Sequence, residues 1–144
     1  MQTSAVDAEN LISTLGLVPH PEGGHYVETW RSGEGDGGRA TATAILFLLR
    51  NGERSHWHRV DADELWMFHA GDPLRLRVAA DNAPIEDSTL GIDLAAGHRP
   101  QVIVPALRWQ AAESLGRFTL VSCVVSPGFE FTGFELAPTG WEPS

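Results

Sequence analysis

Ser55 to Gly71 is the stretch with the most side chains able to do chemistry, reading Ser-His-Trp-His-Arg-Val-Asp-Ala-Asp-Glu-Leu-Trp-Met-Phe-His-Ala-Gly. In a strand, residues two apart share a face, so His56 and His58 are expected to point the same way and close enough to hold one ion. Val60 to Asp63 reads as a turn, and a hairpin there returns Glu64 beside the histidines. Two imidazoles and a carboxylate suit Fe, Mn, Ni or Zn. The same residues also suit a metal-free pocket in which His58 and Glu64 bond to each other or to water.

Alternation from Glu64 puts Trp66 and Phe68 on its face. If that face is the interior, the two rings either line a pocket for a small ring compound or simply fill the core. Tyr26, the only tyrosine, is a candidate acid or hydrogen-bond donor, or a cap on the edge of the core. Gln101 and Gln110 are polar residues in apolar strands, and such groups need partners, either in a polar pocket or on an exposed face. His20, His25 and His98 lie in turn-rich surroundings and receive no role. Arg59 is expected to face away from His58 and to pair with Asp61, Asp63 or Glu113. Phe129 and Phe131 share a face and are expected to close the core or a dimer interface.

These residues need a scaffold, and the chain supplies short strands. Segments rich in Val, Ile, Leu, Phe, Trp and Thr, cut by Gly, Pro, Asp or Asn, read as an all-β fold. Strands are expected near 25–31, 42–50, 55–60, 64–70, 73–79, 88–93, 100–105, 108–114, 117–125 and 129–136. Leu11, Ile12 and Leu15 follow helical spacing between Asp7 and Gly16, which predicts one short N-terminal helix. Asn51-Gly52 and Gly71-Asp72-Pro73 mark turns. Residues 32–39, Ser-Gly-Glu-Gly-Asp-Gly-Gly-Arg, read as a mobile loop at a hairpin end.

Composition narrows the function. The chain has 144 residues, 42% of them hydrophobic and 20% charged, which predicts one domain spanning 1–144. A formal charge of −9 repels phosphate backbones and anionic membranes, so no nucleic-acid or membrane partner is expected. All ten basic residues are Arg, which excludes Schiff-base and amine-base chemistry. The single cysteine, Cys123, sits in an apolar run and reads as a buried thiol. Without a basic, apolar leader the default setting is cytoplasmic.

The order His, one residue, His, five residues, Glu, six residues, Gly resembles the first metal motif of the cupin superfamily. The likeness extends through PHPEGGHYVETWRS at 19–32, TAILFLLRNGERSHWHR at 43–59, DELWMFHAGDPL at 63–74, LGIDLAAGHRPQVIVPALRWQAA at 90–112 and VSPGFEFTGFELA at 125–137. Together these are similar to the small cupins of unassigned function from bacteria and fungi. The resemblance implies a double-stranded β-helix, the RmlC-like jelly-roll barrel, and a homodimer. It also brings in Gln110, which stands where the second cupin motif has a histidine ligand. A glutamine ligand is known in a sugar-phosphate isomerase branch, so His56, His58, Glu64 and Gln110 form the implied metal set.

Four functional readings follow from these residues. The broadest is a barrel pocket for a carbohydrate-like molecule or a small carbonyl or acid metabolite, with Trp66, Phe68, Gln101 and Gln110 contacting the ligand. An isomerase or epimerase would use His58 as base, Glu64 to orient it and Tyr26 as acid. A metal-dependent dioxygenase or decarboxylase would leave one ligand position open for substrate. A non-catalytic binding protein needs only the pocket. The nucleotide-sugar epimerases of similar fold use a lysine, and this chain has none.

Overall fold

Turn residues cut the chain into short segments rich in β-branched and aromatic residues, and these pair into two facing antiparallel sheets. The computed structural model describes residues 7–143. Helix α1 spans Ala8–Leu15. The strands are β1 (Val18–Pro19), β2 (His25–Arg31), β3 (Thr43–Arg50), β4 (Arg54–Val60), β5 (Asp63–Gly71), β6 (Leu74–Ala79), β7 (Glu86–Leu90), β8 (Gln101–Val104), β9 (Trp109–Ser114), β10 (Phe118–Ser126) and β11 (Phe134–Leu136). One sheet runs β1-β2-β3-β10-β5-β8 and the other β11-β4-β9-β6-β7. From β3 to β6, and again from β8 to β11, each strand crosses to the opposite sheet. That crossing rolls the chain into the expected jelly roll.

Between the sheets lie Phe47, Leu49, Trp66, Leu74, Leu76, Leu90 and Val121, all essentially unexposed. Asp7 caps α1 by accepting from the Asn10 N–H at 2.8 Å, and Gly16 ends it in the left-handed region at φ 72°. Its apolar stripe, Leu11, Ile12 and Leu15, covers Leu48 and Leu120 on the outside of β3 and β10. Among the described residues no helix is long and apolar enough to cross a membrane.

Most expected strands form within one residue of their predicted ends. Two strands differ, the first of them at the rim of the site. Residues 129–136 do not form one strand: Phe131–Gly133 makes a 3-10 turn and only Phe134–Leu136 pairs, with β4. Gly133 lies so close to Asp61 that a Cβ would meet that side chain. The strand expected at 88–93 covers Glu86–Leu90, because Asp93 caps a 3-10 turn over Leu94–Ala96. The glycine-rich segment forms a hairpin end, with Gly35 N–H donating to the Arg39 carbonyl at 2.7 Å. Arg39 anchors it by bonding the Gly128 carbonyl and Asp61.

The decisive irregularity is in β4. Ser55 pairs with Ala112 and His58 with Gln110, so three steps on β4 match two on β9. His56 and Trp57 together oppose Ala111, as in a β-bulge. Strict alternation therefore fails between His56 and His58.

Candidate functional site

The interior carries a cavity of about 340 Å³ at the end of the barrel bounded by β2, β4 and the segment leading into β11. Its buried floor brings together His20, Glu22, His58, Glu64 and Cys123, with Tyr26 at the side. Phe129, Phe131 and Phe134 form one wall, in edge-to-face contact at 4.9 to 5.9 Å between centroids. The exposed residues Glu28, Arg31 and Glu130 stand at its rim.

His58 is fixed at both ring nitrogens. Nδ1 lies 2.8 Å from the His56 carbonyl and Nε2 lies 2.9 Å from Glu22 Oε2. Two acceptors require two N–H donors, which only the imidazolium has. Burial alone would push its pKa down; the charge and bond of Glu22, followed by the charge of Glu64, lift it to about 9. At neutral pH His58 is a buried cation.

The loop after β1 positions Glu22. Gly23 takes φ 112° and packs where a Cβ would strike the Arg54 carbonyl, and His56 N–H donates to the Glu22 carbonyl at 2.8 Å. No residue with a side chain fits that approach without a shift. Burial would raise the Glu22 pKa, but the imidazolium of His58 and its hydrogen bond hold the carboxyl below its usual range. The nearby Ser55 hydroxyl adds to the same effect. His20 Nδ1 accepts from the Glu22 N–H at 3.1 Å, and burial keeps that ring neutral. Its edge meets Tyr26 at 4.4 Å between centroids.

Glu64 has a different partner. Trp66 Nε1 donates to Gln110 Oε1 at 2.8 Å, and Gln110 Nε2 donates to Glu64 Oε1 at 2.9 Å. Indole N–H can only donate, so it fixes which way the amide faces. Burial pushes the Glu64 pKa up to about 6; the charge of His58 opposes this and that of Glu22 adds to it. Burial, then the charges of Glu64 and Glu22, raise the Cys123 thiol well above its ordinary value, so it is an un-ionised neighbour and no nucleophile.

Several expected residues therefore stand elsewhere. The bulge turns His56 out of the barrel, where its Nε2 lies 2.9 Å from the Pro138 carbonyl. It lines a separate recess of about 130 Å³ with Trp57 and Trp141. Gln110 is adjacent to Glu64, yet both ends of its amide are engaged. Trp66 and Phe68 pack in the core rather than along the cavity, and Trp66 acts only through its N–H. Gln101 is exposed on the edge strand β8. Tyr26, His58 and Glu64 do meet at the cavity.

The proposed metal set does not fit this arrangement. A Fe, Mn, Ni or Zn ion would have to displace the Nε2 proton and Glu22 from His58, and would need Gln110 to turn its oxygen away from Trp66. Among the described residues no three His, Cys, Asp or Glu side chains are grouped to hold an ion. His20 and Glu22 were the residues that sequence reasoning missed. Their signal was a polar pair two apart, immediately before Gly23-Gly24. Arg59 bonds Glu135 at 2.7 Å and lies 4.6 Å over the Trp109 ring, not beside Asp61, Asp63 or Glu113. The cause is β11, which sets Glu135 opposite Arg59.

Comparison with known proteins agrees with this fold. A protein from Shewanella oneidensis matches with 43% identity and a TM-score of 0.88, covering 95% of this chain and 85% of its own. A hypothetical protein from Leishmania major matches with 35% identity and a TM-score of 0.83, covering 91% and 87%. Oxalate decarboxylase of Bacillus subtilis, described elsewhere as having Mn(II) centres, shares the fold at 11% identity and a TM-score of 0.63, over 83% of this chain and 29% of its own. No curated protein matches the chain. The family model described as Cupin superfamily (DUF985) matches residues 9–137, from the second residue of α1 to one residue beyond β11, and the chain belongs to that family.

Proposed function

We propose that the barrel cavity binds a small carbohydrate-like or carbonyl-bearing molecule and that Glu64 exchanges a proton with it, without a metal. The observation that supports this reading is the buried Glu64 carboxyl on the cavity floor, with a pKa of about 6, beside a His58 that carries its charge at neutral pH. A base works best when its pKa lies near the working pH, and Glu64 satisfies that condition while His58 does not. His58, held by Glu22, supplies a fixed positive charge toward any negative charge that develops on the ligand. Tyr26 is the available hydroxyl donor. In this assignment Glu64 takes the role that spacing had given to His58.

The test is solvent isotope exchange. Incubation in heavy water with a panel of aldoses, ketoses and small ketones should wash deuterium into a carbon next to the carbonyl, visible by NMR, and Glu64→Gln should abolish it. Saturable binding without exchange would make the protein a binding module and overturn the proton-transfer role. Stoichiometric Fe, Mn, Ni or Zn in tag-free protein, lost in His58→Ala, would overturn the metal-free arrangement and favour a dioxygenase or decarboxylase. The homodimer implied by the family likeness belongs to the same reading, and a monomeric mass in light scattering overturns it.

A further inference from the structure

The charges that line the cavity do not balance. Four carboxylates face it, Glu22, Glu28, Glu64 and Glu130, against two cations, Arg31 and His58. Both cations are committed to the protein's own acceptors. His58 holds Glu22 and the His56 carbonyl. Arg31 donates from Nε and Nη2 to both oxygens of Glu28, each at 2.8 Å, and from Nη2 to the Phe129 carbonyl. An entering carboxylate or phosphate would meet these two cations already paired, and two further carboxylates that neither of them bonds.

Those two are Glu64 and Glu130. Glu64 is 6% exposed, and only its Oε1 receives a strong donor, Gln110. The Cys123 thiol, a weak donor, is the carboxyl's other hydrogen-bonding neighbour. Glu130 stands at the rim with Arg39 no nearer than 3.9 Å. The same cavity is lined by the wall of Phe129, Phe131 and Phe134, with Tyr26 at the side of the floor. Aromatic faces attract cations, more strongly where water is excluded, and a buried carboxylate without a counter-ion gains most from a charged donor.

We propose that this cavity selects a small organic cation whose ammonium N–H groups bond Glu64, and that it rejects carboxylates of the same shape. The proposal rests on the cavity being the ligand site, as argued above, and names the class of molecule it takes. A ligand with an amino group beside its hydroxyl or carbonyl function meets both readings.

Three probes of one shape and different charge test it: benzylammonium, benzyl alcohol and benzoate, titrated calorimetrically at low ionic strength and near-neutral pH. Benzylammonium should bind at least about tenfold more tightly than benzyl alcohol, with benzoate weakest, and added salt should narrow the gap. Glu64→Gln should bring benzylammonium and benzyl alcohol to within about twofold of each other. Should that variant unfold, Glu130→Gln, at an exposed rim position, should still reduce the preference by about twofold. Equal binding of the alcohol, or tighter binding of benzoate, overturns the cation assignment and leaves the cavity as a ligand site for neutral or acidic molecules. No saturable binding of any of the three overturns both readings.

Discussion

Glu22 and Glu64 are two glutamates at the floor of one cavity, both nearly inaccessible to water, yet their carboxyls shift in opposite directions. Burial acts on each the same way. The difference is the partner: an imidazolium at 2.9 Å for Glu22 and a neutral amide at 2.9 Å for Glu64. A charge with a bonded counter-charge is held ionised in the interior, whereas a charge tethered by an amide keeps most of its desolvation penalty. One half of the floor is thereby a fixed ion pair and the other half a group ready to change protonation.

The largest test of that contrast is His58→Ala. It strands Glu22 as a buried charge and should lower unfolding stability by about 3–5 kcal/mol in urea melts. Adding Glu22→Gln should recover much of the loss; a single variant as stable as wild type would show the pair is not held as described. The pH profile gives the next effect. His58 has a folded pKa of about 9, above its ordinary 6.5, so its stabilisation is complete below pH 6.5 and disappears as pH rises through 9. The loss should reach about 3 kcal/mol and be absent from the double variant.

Glu64 carries the opposite meaning with the same sign of shift. Its folded pKa of about 6 exceeds the ordinary 4.5, so the protonated form is favoured by folding; that contribution is present below pH 4.5 and is lost as pH rises through 6. Glu64→Gln should remove this slope and be more stable than wild type near pH 7 by up to about 2 kcal/mol. Equal slopes in thermal melts would place Glu64 in a better-compensated setting. Trp66→Phe should give the smallest effect, about 1–2 kcal/mol, by leaving the buried Gln110 oxygen unpaired. It should also shift the titration of Glu64 in NMR, because the amide is then free to turn.

Local patterns carried most of the fold. The strands from His25 to Ser126 announce themselves by apolar runs between Gly, Pro and Asn, and Asp7 and Gly16 mark the helix ends. What the sequence could not display were the long-range pairings. That β11 lies against β4 fixes both Arg59 on Glu135 and the aromatic wall, and no nearby residue signals it. Glu64 was legible as a neighbour of His58 because the turn between β4 and β5 returns it there, whereas the alternation that put His56 beside His58 fails at the bulge. Glu22 was hidden, since its role depends on Gly23 bringing a loop against β4. Of the two readings open for Trp66, lining a pocket or filling the core, its ring takes the second, and its N–H orients Gln110.

The extra residue in β4 is a change of parity. Spacing patterns on a strand are read in twos, and one insertion exchanges inside for outside for everything on one side of it. Two sequences can both spell His-x-His and still put different histidines in the barrel. Deleting Trp57 from this chain would restore an even count between Ser55 and His58 on β4, leaving one residue opposite Ala111. Spacing alone therefore cannot identify which imidazole of such a motif a ligand meets; the pairing partner, here Ala111, has to be counted as well.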